Sequence, residues 1–137
     1  MKRLAVFIAG LTLSAACLAA PRMTPGLWEM TSSMEGAGMP QMPPTKFQHC
    51  YRPEDVKDLR RTIPEKNKDC QVSDWKESGN TVTWKMSCTG KAPMTGTGRI
   101  TYAGDHYEGV NKITMAHGGQ SMTMTQKYVA RRLGDCR

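Results

Sequence analysis

The second half of the sequence alternates apolar and polar residues. From Cys70 onward, apolar side chains recur at every second position over several runs, which is the period of a strand with one buried face. Glycine-containing turns at 78–80, 104–105 and 118–119 separate these runs, and strands joined by tight turns form an antiparallel meander. The predicted strands are residues 70–77, 81–88, 94–103, 106–116 and 121–131.

Two of these strands have a clear apolar face, because side chains alternate between the two sides of a strand. The residues on these faces are Val82, Trp84, Met86 and Cys88 in one strand, and Met122, Met124, Gln126 and Tyr128 in the other. In the first strand, alternation places Val72 and Asp74 on one side and Trp75 on the other. Gly96 and Gly98 predict a bulge or a close approach of neighbouring atoms to the backbone.

The first half of the sequence predicts two further strands. Residues 26–34 alternate as a strand, and residues 46–51 form a shorter one. Between them, residues 35–45 contain three prolines and two glycines. This composition interrupts regular structure and predicts a mobile surface loop.

A short helix is predicted after the second strand. It begins at Pro53, because proline suits the first helical turn and the two following carboxylates lie near the positive end of the helix dipole. Its apolar positions are Val56, Leu59 and Ile63, and Pro64 ends it. A helix this short packs on a sheet but forms no core of its own.

The first twenty residues have the layout of a secretory signal peptide. A basic start precedes an apolar run at residues 4–13, and small residues follow. The run is shorter than the ~20 residues of a transmembrane helix, and no later segment approaches that length. We expect cleavage after Ala19, which removes residues 1–19. The alternative is a lipoprotein anchored through Cys17.

Four cysteines remain in the predicted mature chain: Cys50, Cys70, Cys88 and Cys136. An even number in an exported domain predicts two structural disulfides. None belongs to a C-x-x-C pair, so neither a thioredoxin-type redox site nor the commonest zinc site is indicated. Four cysteines allow three connectivities, and we favour Cys50 with Cys70 and Cys88 with Cys136.

Length and charge predict one basic domain, residues 20–137. The chain has 19 Lys and Arg against 12 Asp and Glu, a net charge of +7, and loss of the two basic residues of the predicted signal peptide leaves +5. The basic residues are scattered and lack the interleaved aromatics of a single-strand binder. They predict a solvated surface attracted to anionic surfaces, and no nucleic-acid binding.

Together these patterns predict a mainly β, α+β fold: a curved antiparallel meander of about six strands, partly closed, with one short helix and two disulfides. One short helix covers little of the buried face, so the sheet must curl or leave a groove. Such a groove is the candidate site for an apolar ligand, and ordinary core is the alternative. Its predicted lining is Trp28, Trp84, Met86, Met122 and Met124.

The sequence indicates neither catalysis nor a cofactor. It contains no G-x-S-x-G, no H-E-x-x-H, no P-loop and no EF-hand loop. Its histidines, His49, His106 and His117, are far apart. A hydrolytic triad needs a nucleophile, a base and an orienting acid together, and nothing in the spacing suggests one.

Ten methionines remain after residue 19, and they suggest an alternative function. They include Met34, Met39 and Met42 around the proline-rich loop, and Met115, Met122 and Met124 with His117 around the 118–119 turn. Thioether sulfur is a soft ligand suited to Cu(I). Methionine also fills gaps in small cores and adaptable surfaces, so copper binding is the second hypothesis.

Several short features together resemble one protein family. They are P-G-L-W-E at 25–29, the Met- and Pro-rich loop, His49-Cys50 followed by Pro53-Glu54, G-N-T-V-T-W at 79–84 leading to Cys88, G-T-G at 96–98, and R-L-G-D-C at 132–136. In this order they are similar to DUF3617, a family of uncharacterised exported bacterial proteins. The resemblance implies a periplasmic or secreted protein of a Gram-negative bacterium with a four-cysteine framework. It carries over no catalytic residues.

The predicted function is a non-catalytic binding domain of the periplasm. Its expected partner is an apolar ligand or another envelope protein. The alternative is a periplasmic copper-binding protein that uses methionine and histidine, and an enzyme is the third hypothesis.

Overall fold

The computed structural model describes residues 22–63, 68–91 and 93–137. Its strands are β1 (Gly26–Gly36), β2 (Thr45–Tyr51), β3 (Cys70–Ser78), β4 (Thr81–Cys88), β5 (Met94–Tyr102), β6 (His106–His117) and β7 (Gln120–Gly134). Helix α1 (Pro53–Lys57) and a 3-10 turn (Leu59–Thr62) follow β2. The predicted signal peptide, residues 1–19 with Cys17, lies outside the described residues.

The strands form one antiparallel sheet in the order β2-β1-β7-β6-β5-β4-β3. From β3 to β7 each strand pairs with the next along the chain, and β1 joins the far side of β7 with β2 beyond it. The prediction of a mainly β antiparallel fold with one short helix is confirmed. The sheet has seven strands, which correspond to the seven segments predicted individually, although the fold as a whole was expected to have about six.

The register of the sheet separates a core face from a polar face, because residues opposite each other in a ladder point to the same side. The core face carries Trp28, Val82, Ile100, Tyr107 and Tyr128, each at most 8% exposed. The polar face carries Thr83, Lys85, Thr97, Arg99 and Lys112. Met23 and Leu59 pack against the aromatic part of the core face.

Two strand glycines make room for aromatic rings on the core face. A Cβ atom at Gly98 would lie 2.1 Å from the Trp84 ring, and one at Gly109 would lie 2.3 Å from the Tyr128 ring. Each ring therefore lies against the bare backbone of the neighbouring strand. The predicted close approach at Gly98 is confirmed.

Strand β3 departs from the predicted alternation at a bulge. Its register with β4 shifts between Ser73 and Lys76, where Asp74 has a φ of 52°. The extra residue turns the following side chain to the other side. Val72 and Trp75 consequently pack against the same core, and the prediction that they lie on opposite sides is wrong.

The two disulfides join different partners from those favoured above. Cys70 bonds to Cys88, and Cys50 bonds to Cys136. Cys70 lies directly opposite Cys88 in the β3–β4 ladder. Cys50 and the end of β7 both pair with β1 at Leu27, so Cys136 reaches Cys50 across that strand. Two disulfides are confirmed, but the predicted pairing is wrong.

The predicted helix begins at Pro53 but breaks into two pieces. The Asp55 carboxylate accepts a hydrogen bond from the Arg52 backbone N–H, 2.9 Å away, at the start of α1. At the break, the Asp58 carboxylate accepts one from the Arg60 N–H at 3.1 Å and so begins the 3-10 turn. Leu59 is then buried against the sheet.

Four tyrosines in the core make the fold sensitive to alkaline pH. Burial raises the pKa of Tyr51, Tyr107 and Tyr128 and raises the pKa of Tyr102 to about 12. Above pH 10 the unfolded chain loses these protons while the folded chain keeps them, so stability falls as pH rises. We expect a falling melting temperature between pH 10 and 12, with tyrosinate absorbance appearing only as the protein unfolds. Tyrosinate formation without unfolding would contradict this.

Candidate functional site

The five residues predicted to line a groove lie on the core face but do not form one cluster. Trp28 is 1% exposed and packs against Tyr107 in the aromatic part of the core. Trp84 is 6% exposed and stacks on Trp75. The three methionines, Met86, Met122 and Met124, lie at the opposite end of the face, where strand β1 reaches Gly36. Exposure rises in that direction, and Met122 is 44% exposed.

The aromatic part of the core face is closed. Trp28 contacts Tyr51 and Tyr107, and the Tyr51 and Tyr107 hydroxyls are 3.2 Å apart. The Tyr102 hydroxyl is 3.1 Å from the Thr62 hydroxyl in the 3-10 turn. These contacts close the region beneath α1 and the 3-10 turn, so Trp28 is part of the structural core.

The other end of the core face is lined by methionines, and we call it the methionine end. It comprises Met34, Met39, Met86, Met94, Met115, Met122 and Met124. Met124 is buried, Met122 is exposed and the others are half-buried. A Cβ at Gly36 would lie within 3.4 Å of both Met39 and Met124, so the loop after β1 joins this surface.

Five sulfur-bearing residues lie opposite one another in a row across five strands at this end. They are Cys70, Cys88, Met94, Met115 and Met122. Neighbouring residues in such a row have Cβ atoms roughly 5 Å apart. The disulfide therefore occupies one end of the row, and three thioethers continue from it on β5, β6 and β7. Sequence spacing does not reveal this row, because it depends on the register of every hairpin.

A polar seam separates the two parts of the core face. The Asn111 amide donates a hydrogen bond to the Gln126 side-chain oxygen at 3.0 Å, and the Gln126 amide donates one to the Ser32 hydroxyl at 3.0 Å. Asn111 Oδ1 is buried and accepts no hydrogen bond from any described residue. Such an unpaired acceptor is rare in folded proteins, because burial without a partner is costly. Asn111 lies on the same face as Ile113, two residues before it on β6. Ile113 lies opposite Met124 of the methionine end.

The polar face carries two open grooves that the sequence analysis missed. One, of about 600 Å³, lies over β1, β5, β6 and β7 and includes Arg99, Val110 and Val129. The other, of about 410 Å³, lies over β3 to β6 and includes Lys76, Arg99 and Lys112. The sequence signal for these grooves was the set of basic residues at the outward positions of the alternating strands. Their convergence depends on the register between the strands.

The histidines whose side chains are described show ordinary surface contacts. The rings of His49 and Tyr51 are 4.5 Å apart at the β2 edge. His106 Nδ1 lies 2.7 Å from the Asp105 carboxylate, and this contact lowers the pKa of Asp105. In the described ranges, no group of three or more His, Cys, Asp or Glu side chains is arranged to hold a metal ion.

Comparison with known protein families gives a match. A family model described as "Protein of unknown function (DUF3617)" matches residues 23–136. No curated protein and no solved structure matches the chain. Within the part of the chain that the structure describes, no helix combines the length and apolar character needed to cross a membrane.

Proposed function

Because the chain belongs to the DUF3617 family, whose function is unknown, we propose a function from the geometry: a non-catalytic binding domain, acting outside the cytoplasm, that holds an apolar ligand at the methionine end. The two disulfides support the location, since such bonds persist in oxidising compartments. The periplasm is the compartment we propose for it.

The methionine end suits a ligand because it is apolar, adaptable and only partly covered. Helix α1 and the 3-10 turn pack against the aromatic part of the core face. The methionine end is covered instead by the loop after β1, which reaches it through Met39. Methionine has three rotatable bonds and a polarizable sulfur, so methionine surfaces adjust to ligands of different shape. A rigid aromatic core would not adjust in this way.

The unpaired Asn111 oxygen is the observation that carries the proposal. Ligand sites are mostly apolar with a few placed polar groups that fix orientation. Asn111 Oδ1 is a buried acceptor beside the methionine end, and no residue in the described ranges donates a hydrogen bond to it. An apolar ligand with one N–H or O–H group would satisfy it, so we propose that Asn111 orients the ligand and the methionines contact its hydrocarbon part.

Copper binding remains a second candidate because of the sulfur row. Met94, Met115 and Met122 present thioethers from three neighbouring strands, and soft thioether ligands suit Cu(I). The two candidates differ in what they require of the side chains. An apolar ligand needs hydrocarbon surface, which leucine also provides, whereas Cu(I) needs sulfur.

Variants of two methionines separate the candidates. We expect the neutral probe N-phenyl-1-naphthylamine, which is apolar with one N–H, to bind the protein and the Met115→Leu/Met122→Leu variant equally. Met115→Gln/Met122→Gln should weaken its binding about tenfold, since apolar contact is lost. Fluorescence titration measures each affinity, and Met42→Gln in the exposed loop is the matched control.

Cu(I) titration of the same variants against a chromophoric chelator tests the second candidate. Tight Cu(I) binding that is lost in both the Leu and the Gln variants would favour it over the first. Probe binding that is unaffected by the Gln substitutions would contradict the apolar site. Asn111→Leu should weaken the probe while leaving Cu(I) binding unchanged, because the carbonyl acceptor is removed without loss of sulfur.

A further inference from the structure

The groove over β3 to β6 collects positive charge on the polar face. Four basic side chains line it, together with one carboxylate and two threonine hydroxyls. They are Lys76, Lys85, Arg99, Lys112, Asp74, Thr83 and Thr97. Because this groove lies on the opposite side of the sheet from the methionine end, its function is separate from the one proposed above.

Among the residues that the structure describes, three of the four cations form no ion pair with a carboxylate. Asp74 binds Lys85 at 2.8 Å, and the contact lowers the pKa of the Asp74 carboxyl and raises that of the Lys85 ammonium. Among the described residues, no carboxylate lies within 4.0 Å of the charged groups of Lys76, Arg99 or Lys112. The charged side chains that line the groove therefore leave a net positive charge of three.

The register places these three cations around one spot. Lys76 and Arg99 both lie opposite Thr83, on either side of β4. Lys112 lies opposite Thr97, the residue two positions before Arg99 on β5. Opposite Cβ atoms are roughly 5 Å apart and diagonal ones roughly 7 to 8 Å, and long basic side chains cover such distances. Their charged groups can meet over the two threonine hydroxyls.

We propose that this groove binds a small phosphate-bearing anion. A phosphate group carries up to two negative charges and several acceptor oxygens, which match three separate cations and two hydroxyl donors better than a single carboxylate does. Arg99 supplies a planar fork for two oxygens, and Lys76 and Lys112 supply point charges.

An extended anionic bilayer fits this face less well than a small ligand does. Glu29, Glu35 and Glu108 lie on the same polar face, beside the neighbouring strands, and would meet the same headgroups. The positive charge is concentrated in a groove of about 410 Å³, a volume that suits a small molecule. A phosphate monoester and a phospholipid headgroup share the recognised chemistry, so the test includes both.

The test is titration of the folded protein with inorganic phosphate and with glycerol 3-phosphate, followed by NMR or calorimetry. We expect saturable binding that weakens about tenfold in Arg99→Gln and severalfold in Lys112→Gln, since each loses charge-assisted hydrogen bonds. Lys57→Gln on α1 removes the same charge at a distance and should leave the affinity unchanged. All three positions are exposed, and thermal melting confirms that the variants fold.

Sedimentation with vesicles of phosphatidylglycerol, compared with phosphatidylcholine alone, separates the sources of phosphate. Binding to the soluble phosphates that depends on Arg99 supports the proposal, with or without vesicle binding. Three results overturn it: no saturable binding of either soluble phosphate, equal weakening in Lys57→Gln, or binding to anionic vesicles alone. The last would assign the basic groove to a membrane surface.

Discussion

Replacing Gly98 by alanine is expected to destabilise the fold by ~3 kcal/mol, because the added methyl group would occupy space filled by the Trp84 ring. Three ring atoms lie within 2.7 Å of where that methyl carbon must be placed. The ring cannot retreat freely, since Trp75 stacks on it at 5.9 Å. Urea or thermal unfolding monitored by tryptophan fluorescence measures the loss, and a melting temperature lower by about 10 °C is expected.

A double-mutant cycle identifies the cause of this loss. In a Trp84→Leu background the same Gly98→Ala change should cost under about 1 kcal/mol, because the ring that collides with the methyl group is gone. Thr97→Ala, the adjacent exposed position on the polar face, is the control for a general effect on β5. An equal cost of Gly98→Ala in both backgrounds would show that the backbone itself requires glycine.

Strand positions were predictable from this sequence because each strand is a local pattern. Alternation and glycine turns placed all seven strands to within a few residues of their observed bounds, and they indicated the close approach at Gly98. The bulge at Asp74 was not predictable in the same way. Aspartate tolerates a positive φ better than most residues, but an aspartate in a strand does not by itself mark a bulge. The bulge returns Val72 and Trp75 to one face, and that effect depends on the partner strand.

The disulfide pairing depended on the same non-local information. If the register of the Ser78–Thr81 pair continued along β3 and β4 without the bulge, Cys70 would be displaced by one residue from the position opposite Cys88. The shift brings the two cysteines directly opposite each other. The Cys50–Cys136 bond requires β1 to lie between β2 and β7. That arrangement joins β1 and β2 to the last strand of the sheet and leaves no signal in either segment.

The candidate site was predictable only as a list of residue types. The sequence pattern placed Met86, Met122 and Met124 on strand faces, and the structure puts them at one end of the core face. It also grouped Trp28 with them, whereas Trp28 lies in the closed aromatic part. The polar seam through Asn111 had no sequence signal, and the groove at Arg99 had only the outward basic residues of its strands as a signal, because both features join strands that only the sheet brings together.

Removing the Cys50–Cys136 disulfide is expected to cause the largest loss of stability of any change considered. By the chain-entropy model, closing a loop of 86 residues is worth about 4.5 kcal/mol, and closing one of 18 residues about 3 kcal/mol. Cys50→Ser/Cys136→Ser should therefore unfold at a lower urea concentration than Cys70→Ser/Cys88→Ser. For a domain of this size the larger value is a substantial fraction of the total stability.

The connectivity can be tested before stability is measured. Proteolysis of the oxidised protein without reductant should release one disulfide-linked peptide pair containing Cys70 and Cys88 and another containing Cys50 and Cys136. A linked pair containing Cys50 and Cys70 would contradict the structure. If the connectivity holds but the Cys70→Ser/Cys88→Ser variant is the less stable one, the loop-length argument fails. The β3–β4 hairpin would then depend on its disulfide to keep the bulge in register. The sulfur row would depend on the same disulfide.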